Sequence, residues 1–197
     1  MSKKLLLAFL LATSAGYKAN AQFHIGAKAD ANFFKVTGEG IKPAFTPGIE
    51  LGVYGTWKIS ELFSLQPELL YTQNTATKDG DFSAKYINNN NPDGSRHIKL
   101  NYFSIPLLLR YNITPRFTID AGPEFSYLFY SNESLLMYGK DAFKRPNAAV
   151  VGGVSYKVSK VTFFGRYVQG LTDINDIDDR YDWKTQQLQV GLSVEIK

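Results

Sequence analysis

The sequence predicts an all-β fold, an eight-stranded antiparallel up-and-down barrel that spans a membrane with an apolar outer face. Three observations lead to this prediction. Apolar residues recur at every second position in about eight segments, which is the period of a β-strand. The connections between these segments alternate between short and long. An export signal precedes the first segment, and no later stretch has the roughly 20 apolar residues of a membrane-spanning helix.

Residues 1–21 have the organisation of a signal peptide. Lys3 and Lys4 form a basic start, a short apolar run follows, and an A-x-A cleavage site ends at Ala21. We therefore expect removal of this segment and a single outer-membrane β-barrel domain at residues 22–197.

Composition excludes several classes of function. Three basic residues lie in the signal segment and no acidic residue does, so the formal charge of +4 falls close to neutral in the mature chain. The absence of any Lys/Arg-rich run argues against nucleic acid as a partner. The absence of cysteine excludes disulfides, thiolate metal sites and a cysteine nucleophile.

Eight segments have the alternation of strands. They cover residues 23–35, 47–58, 62–73, 98–112, 116–130, 147–158, 160–170 and 185–196. Each has about the length, or more, of the 9–11 residues that cross a bilayer at a steep tilt. An even number of strands places both chain ends on one side of a barrel.

The connections alternate in length along the chain. Short turns are expected near 59–61, 113–115 and 159–160, and long polar loops near 36–46, 74–97, 131–146 and 171–184. In bacterial outer-membrane barrels the short turns face the periplasm and the long loops face outward. The pattern therefore predicts a bacterial outer-membrane protein surrounded by lipid, with long loops available to partner proteins of the envelope.

The apolar set falls on odd-numbered residues in nearly all segments, with aliphatic residues in mid-strand and aromatic residues toward the strand ends. Amphipathic rings favour the membrane surface, so two aromatic girdles are expected. They comprise Trp57, Phe63, Tyr111, Phe117 and Tyr156 at the short turns, and Tyr71, Phe103 and Phe129 at the long loops. The alternative is a soluble barrel with its apolar face inside, in which aromatic residues need not collect at strand ends.

The other face carries charged residues of both signs. They are Lys28, Asp30, Glu50, Lys58, Glu68, Arg110, Asp120, Glu124, Lys157, Arg166 and Glu195. Eight strands leave an interior just wide enough for side chains, and buried charges must be paired. We therefore predict a structural ion-pair network in the lumen. Its two arginines would bind some of the four acids in the set Glu50, Glu68, Arg110, Asp120, Glu124 and Arg166.

Three prolines fall inside predicted strands. Pro67, Pro106 and Pro123 lack the N–H that a strand donates to its neighbour, and a closed barrel has no edge at which this would be harmless. We expect a bulge or a local irregularity at each of them.

Several strings together carry a family resemblance: residues 65–71, 100–111, 121–124, 165–167 and 170–174. They resemble the PorT-type "porin family" outer-membrane β-barrel domain over essentially the whole mature chain. The resemblance implies an eight-stranded outer-membrane barrel, with the three prolines at positions that the family shares. It implies little biochemistry, because the word porin does not establish a pore there.

No motif predicts catalysis, a cofactor or a metal. His97, Ser95 and Asp93 lie in one loop, but the members of a catalytic triad meet in space rather than as close neighbours in sequence. The acidic loop at 173–182 departs from an EF-hand, because Ile177 stands where a ligand is needed. We therefore expect a non-enzymatic barrel that works as a membrane anchor, a display platform for loops or a component of envelope assembly. The alternative is a narrow porin-like channel for small solutes.

Overall fold

The computed structural model describes residues 23–80, 97–131, 143–177 and 180–196. It has eight strands, β1 (Phe23–Thr37), β2 (Thr46–Lys58), β3 (Phe63–Thr77), β4 (His97–Asn112), β5 (Phe117–Ser131), β6 (Pro146–Val158), β7 (Val161–Gly170) and β8 (Lys184–Glu195). The predicted signal peptide lies outside the described residues, as do Asp93 and Ser95.

Each strand pairs antiparallel with the next one along the chain, and β1 also pairs with β8. The sheet therefore closes on itself and leaves no free edge. This confirms the predicted eight-stranded up-and-down barrel. No helix that is long and apolar enough to cross a membrane occurs among the residues just named.

The three strand prolines interrupt the backbone ladder without changing its register. Paired residues are missing opposite Pro67 between β2 and β3, at Pro106 between β3 and β4, and at Pro123 between β4 and β5. The pairing resumes in the same register after each gap, so none of the three is a bulge. A register shift lies instead at Asn101/Tyr102, opposite β5.

The strands alternate between lipid-facing and lumen-facing residues, but the numbering of the two faces changes along the chain. Odd-numbered residues face outward in β1 to β5 and in β7, whereas even-numbered residues do so in β6 and β8. Cross-strand partners share a face, and Phe117 pairs with Tyr156, so the parity must change between β5 and β6. The general rule of odd numbers fails in β6 and β8, but the outward Tyr156 and the inward Lys157 and Glu195 lie on the faces that the sequence predicted for them.

The outer face is an apolar belt bounded by aromatic residues. At the long-loop side Phe103 stacks on Phe129 with 4.6 Å between ring centroids, and Tyr71 lies 5.9 Å from Phe129. At the short-turn side the rings of Phe63 and Tyr111 are 5.3 Å apart. The eight steps from Phe103 to Tyr111 in a tilted strand span about 20 Å of height, which suits the apolar band of an outer-membrane barrel.

Replacing Leu107 with Arg should destabilise the folded barrel, because this side chain is 43% exposed on the middle of the apolar belt. We expect a loss of about 2–4 kcal/mol in the free energy of unfolding. Urea titration of the protein folded into phospholipid vesicles measures this loss.

Gln73→Arg is the matched control, because Gln73 faces outward just beyond the girdle residue Tyr71. Arginine near the interface costs only about 0–1 kcal/mol. Equal losses in the two variants would contradict the placement of the belt.

Candidate functional site

The barrel interior is filled in successive levels between the long-loop end and the short-turn end. An apolar plug lies at the long-loop end, an amide layer and a network of charged side chains follow, and a cavity opens at the short turns. Each level is built from the inward-facing residues of neighbouring strands, together with two of the loops. The lumen is therefore the candidate functional site.

The plug joins inward-facing strand residues to residues from the long loops. Its members are Phe34, Val36, Ile41, Ala76, Ile98, Leu100, Tyr102, Leu128, Phe143, Ile174 and Trp183. Trp183 is completely buried, lies 5.2 Å from the ring of Phe143 and donates from Nε1 to the backbone oxygen of Glu39 at 3.2 Å. Loop residues thus fold over the barrel mouth and close it with side chains that exclude water.

Asp173 fixes the last long loop in this position. Its carboxylate accepts hydrogen bonds from Lys144 Nζ at 2.6 Å and from the backbone N–H groups of Asn175 at 2.9 Å and Trp183 at 2.8 Å. Burial opposes ionisation, but these three donors favour the charged form and lower the pKa of Asp173 below its usual value. In the described part of this acidic loop, the Asp173 carboxylate therefore binds Lys144 and two backbone N–H groups. Asp178 and Asp179 lie outside the described residues.

An amide layer lies beneath the plug. Asn32 Nδ2 donates to Asn74 Oδ1 at 2.8 Å and to Gln187 Oε1 at 2.7 Å, which links β1 to β3 and β8. Below it, Thr72 Oγ1 donates to Glu50 Oε2 at 2.7 Å. These contacts satisfy the Asn32 amide N–H groups and one oxygen of Glu50 at the level where the interior changes from apolar to charged, while the buried Asn32 Oδ1 accepts no hydrogen bond from the described residues.

Two cations and three carboxylates form the centre of the charged network. Lys28 Nζ lies 3.1 Å from both Glu50 and Glu68. Arg166 holds Glu68 with two hydrogen bonds of 2.9 Å and places Nε 3.1 Å from Asp120. All five side chains are at most 3% exposed where these ion pairs are formed. Glu68 is thus shared by both cations, an arrangement that offsets the cost of desolvating a buried charge.

The structure brings four of the six predicted network residues together, namely Glu50, Glu68, Asp120 and Arg166. Glu124 is buried and accepts a hydrogen bond from Ser126, and Arg110 donates to Gln66 Oε1 at 2.7 Å and Ser155 Oγ at 3.1 Å. Within the described ranges, neither Glu124 nor Arg110 has an oppositely charged group within 4 Å. Arg110 differs from the prediction because Asp120, its cross-strand neighbour, is directed to Arg166 instead.

Lys28 is the central cation that the predicted set of six omits. The alternation places Lys28 on the lumen face together with Asp30, but it predicts only the face of the sheet and not the height of a residue along the barrel axis.

Two inward-facing glycines make room for the side chains of the charged network. A Cβ at Gly191 would lie 2.2 Å from Asp30 Cβ, and one at Gly153 would lie 2.5 Å from Arg166 Cγ. Glycines on the inward face opposite charged residues were therefore a usable signal.

A cavity of about 480 Å³ occupies the short-turn end of the lumen. We call it the vestibule. Arg110, Gln66 and Arg166 lie at its inner end, and Lys58, Arg116 and Lys157 line its outer part. Lys58, Lys157 and Glu195, which were assigned to the lumen face from the sequence, all line this cavity.

Comparisons with known proteins agree with this architecture. A sequence model of the outer membrane protein β-barrel domain family matches residues 11–176. The crystal structure of Neisserial surface protein A has a TM-score of 0.56 and 16% identity, covering 87% of this chain and 97% of that one. Ail, the attachment invasion locus protein of Yersinia pestis, solved with the heparin analogue sucrose octasulfate, has a TM-score of 0.52 and 9% identity over 89% and 99%. No curated protein matches the chain in sequence.

Replacing Arg166 with Met should cost more stability than replacing Arg110 with Met. The first change leaves Glu68 and Asp120 without the guanidinium that binds both, at a cost of about 3–5 kcal/mol. The second removes two hydrogen bonds to neutral acceptors, at a cost of about 1–3 kcal/mol. Urea unfolding in detergent micelles, followed by tryptophan fluorescence, compares the two. A larger loss for Arg110→Met would contradict this ranking.

Acid should release the last long loop from the plug. The lowered pKa of Asp173 means that its contribution to the stability of the folded loop depends on the charged carboxylate. That contribution is complete above the ordinary aspartate pKa of about 3.9 and is lost as the pH falls through the lower folded-state pKa. The fluorescence of Trp183, measured in a Trp57→Phe background, reports the release.

Asp173→Asn should show the released signal already at neutral pH. Asp176→Asn is the matched control, because Asp176 is an exposed acid of the same loop, and it should titrate like the parent. If Asp173→Asn also titrates like the parent, Asp173 does not fix the loop.

Proposed function

The chain belongs to the outer membrane protein β-barrel domain family, and on this premise we propose that it is a closed, non-enzymatic anchor that displays its long loops at the cell surface. It is a small β-barrel of the bacterial outer membrane, with lipid around its apolar belt. The observation that carries the proposal is the filled lumen. A solute crossing the barrel would have to pass both the charged network and the plug.

The network is the stronger of the two obstacles. Lys28, Glu68 and Arg166 come from β1, β3 and β7 and meet inside the barrel at contact distance. Opening a path there would separate buried ion pairs, which costs several kcal/mol. This supports a structural role for Glu50, Glu68, Asp120 and Arg166 of the predicted set, with Lys28 added to them.

The plug turns the long-loop end into a defined surface. The loop after β7 is held by Asp173 and by Trp183, and Trp183 in turn bonds to the loop after β1. A surface fixed in this way suits recognition of other envelope proteins, which we take to be the partners of the loops. Nucleic acid is not expected there.

Two finer assignments belong to the same proposal. The first is membership of the PorT-type porin family, supported by the sequence strings around Pro67, Pro106 and Pro123. The second is cleavage of a signal peptide after Ala21. The absence of enzymatic activity belongs to the same proposal and is supported by the sequence, in which no motif predicts catalysis.

Planar-bilayer recording tests the closed lumen. The wild-type protein should give no stable single-channel steps, because the network and the plug each obstruct the path. Trp183→Ala should also remain silent, since it opens the plug and leaves the network intact. Heat-dependent migration on gels verifies that both samples are folded.

Discrete, reproducible conductance steps in the wild type would contradict the proposal and favour the narrow channel. Conductance in Trp183→Ala alone would show that the network does not close the lumen by itself.

A further inference from the structure

The vestibule has the size and position of a ligand site. Its volume of about 480 Å³ lies within the range of small-molecule pockets, roughly 300–1,000 Å³. It opens at the short turns, which face the periplasm in outer-membrane barrels. The charged network closes its inner end, so a molecule entering the vestibule meets a wall rather than a passage.

The lining of the vestibule has more positive than negative charge. Lys58 pairs with Glu61 at 2.9 Å, and Lys157 pairs with Glu195 at 2.6 Å. Arg166 is occupied by Glu68 and Asp120 in the network. Arg110 and Arg116 also line the cavity, and in the described parts of the chain neither has a carboxylate within 4 Å. Two guanidinium groups therefore face this space without a contacting counter-ion.

Arg110 is held in place by neutral acceptors. Nη1 donates to Gln66 Oε1 at 2.7 Å and Nη2 donates to Ser155 Oγ at 3.1 Å, which uses two of its five N–H groups. Ser155 in turn lies 3.3 Å from Asp120, so a hydroxyl separates the guanidinium from the nearest cross-strand carboxylate. The group is thus oriented in advance, while its charge stays available to an anion from outside.

The rest of the lining is rich in hydroxyl and amide groups. They come from Tyr54, Thr56, Ser64, Asn112, Thr118, Thr162 and Ser193. Such groups both donate and accept hydrogen bonds, which matches a ligand that carries several hydroxyls of its own. Thr56 already donates to Gln66 and Thr118 to Asn112, but hydroxyl and amide groups have further hydrogen-bonding capacity that a hydroxylated ligand can use.

We propose that the vestibule binds a small hydroxylated organic anion, a sugar phosphate or a sugar acid, from the periplasmic side. The anionic group contacts Arg110 at the inner end, and Arg116 at the mouth attracts it. The hydroxyls of the ligand bond to the hydroxyl-rich wall. This binding needs no passage through the barrel, so it does not depend on the outcome of the conductance experiment.

Isothermal titration of the folded protein in zwitterionic nanodiscs tests the site, with glucose 6-phosphate as the probe. We expect saturable binding that weakens as salt is added. Glucose should not bind measurably, and inorganic phosphate should bind more weakly than the sugar phosphate. Arg110→Gln should weaken binding about tenfold or more, since a charge-assisted hydrogen bond is lost.

Two further variants make the result specific. Arg116→Gln removes a charge at the exposed mouth, so it leaves the wall intact and should weaken binding less than Arg110→Gln. Lys160→Gln removes a positive charge on the same side of the barrel but outside the vestibule, and it should bind like the wild type. Heat-dependent gel migration confirms folding, and Arg116→Gln keeps the test valid if Arg110→Gln does not fold.

Four outcomes would overturn the proposal. They are an absence of saturable binding of glucose 6-phosphate to the wild type, unchanged affinity in both arginine variants, an equal loss in Lys160→Gln, or equal affinity for inorganic phosphate. The last would mean that the hydroxyl-rich wall does not recognise a sugar.

Discussion

The carboxylate of Glu68, shared by Lys28 and Arg166, is the interaction on which the interior depends. It joins β3 to β1 and β7, strands that are not neighbours in the sheet. A barrel with lipid outside cannot use a large apolar core to hold its walls together, because its apolar side chains face outward. Contacts across the lumen take over that role, and buried ion pairs supply them beside a small apolar cluster around Leu108.

The order of the levels follows from this constraint. Paired charges attract each other more strongly where water is excluded, and the plug around Trp183 excludes it at the long-loop end. Among the described residues the short-turn end has no such cover, and the vestibule is open there. The protein therefore has a sealed face that suits display and a polar recess on the opposite side. These features fit an anchor better than a pore.

The fold was predictable from the sequence because the alternation of residues is local, whereas the site depends on height and register. Alternation placed Glu68 and Arg166 in the lumen correctly. It could not tell that Asp120 binds Arg166 rather than its cross-strand neighbour Arg110, because that choice depends on side-chain reach across the barrel. It also placed Tyr156 outward and Lys157 inward, although the general rule of odd numbers ends where β5 pairs with β6. The role of Asp173 required knowledge of the folded loop.

The three prolines show how the interior compensates for defects in the wall. The ladder gaps at Pro67, Pro106 and Pro123 fall in three consecutive seams of the sheet. In the first gap, Thr56 Oγ1 donates to Gln66 at 3.0 Å and replaces part of the missing backbone contact. The second gap, between β3 and β4, contains Glu68, which Lys28 and Arg166 bind from across the lumen. In the third, Leu108 is completely buried against Ala149, Val151 and Val168. Each weak point of the β2–β5 wall is therefore held by a side chain, which explains why the register survives all three.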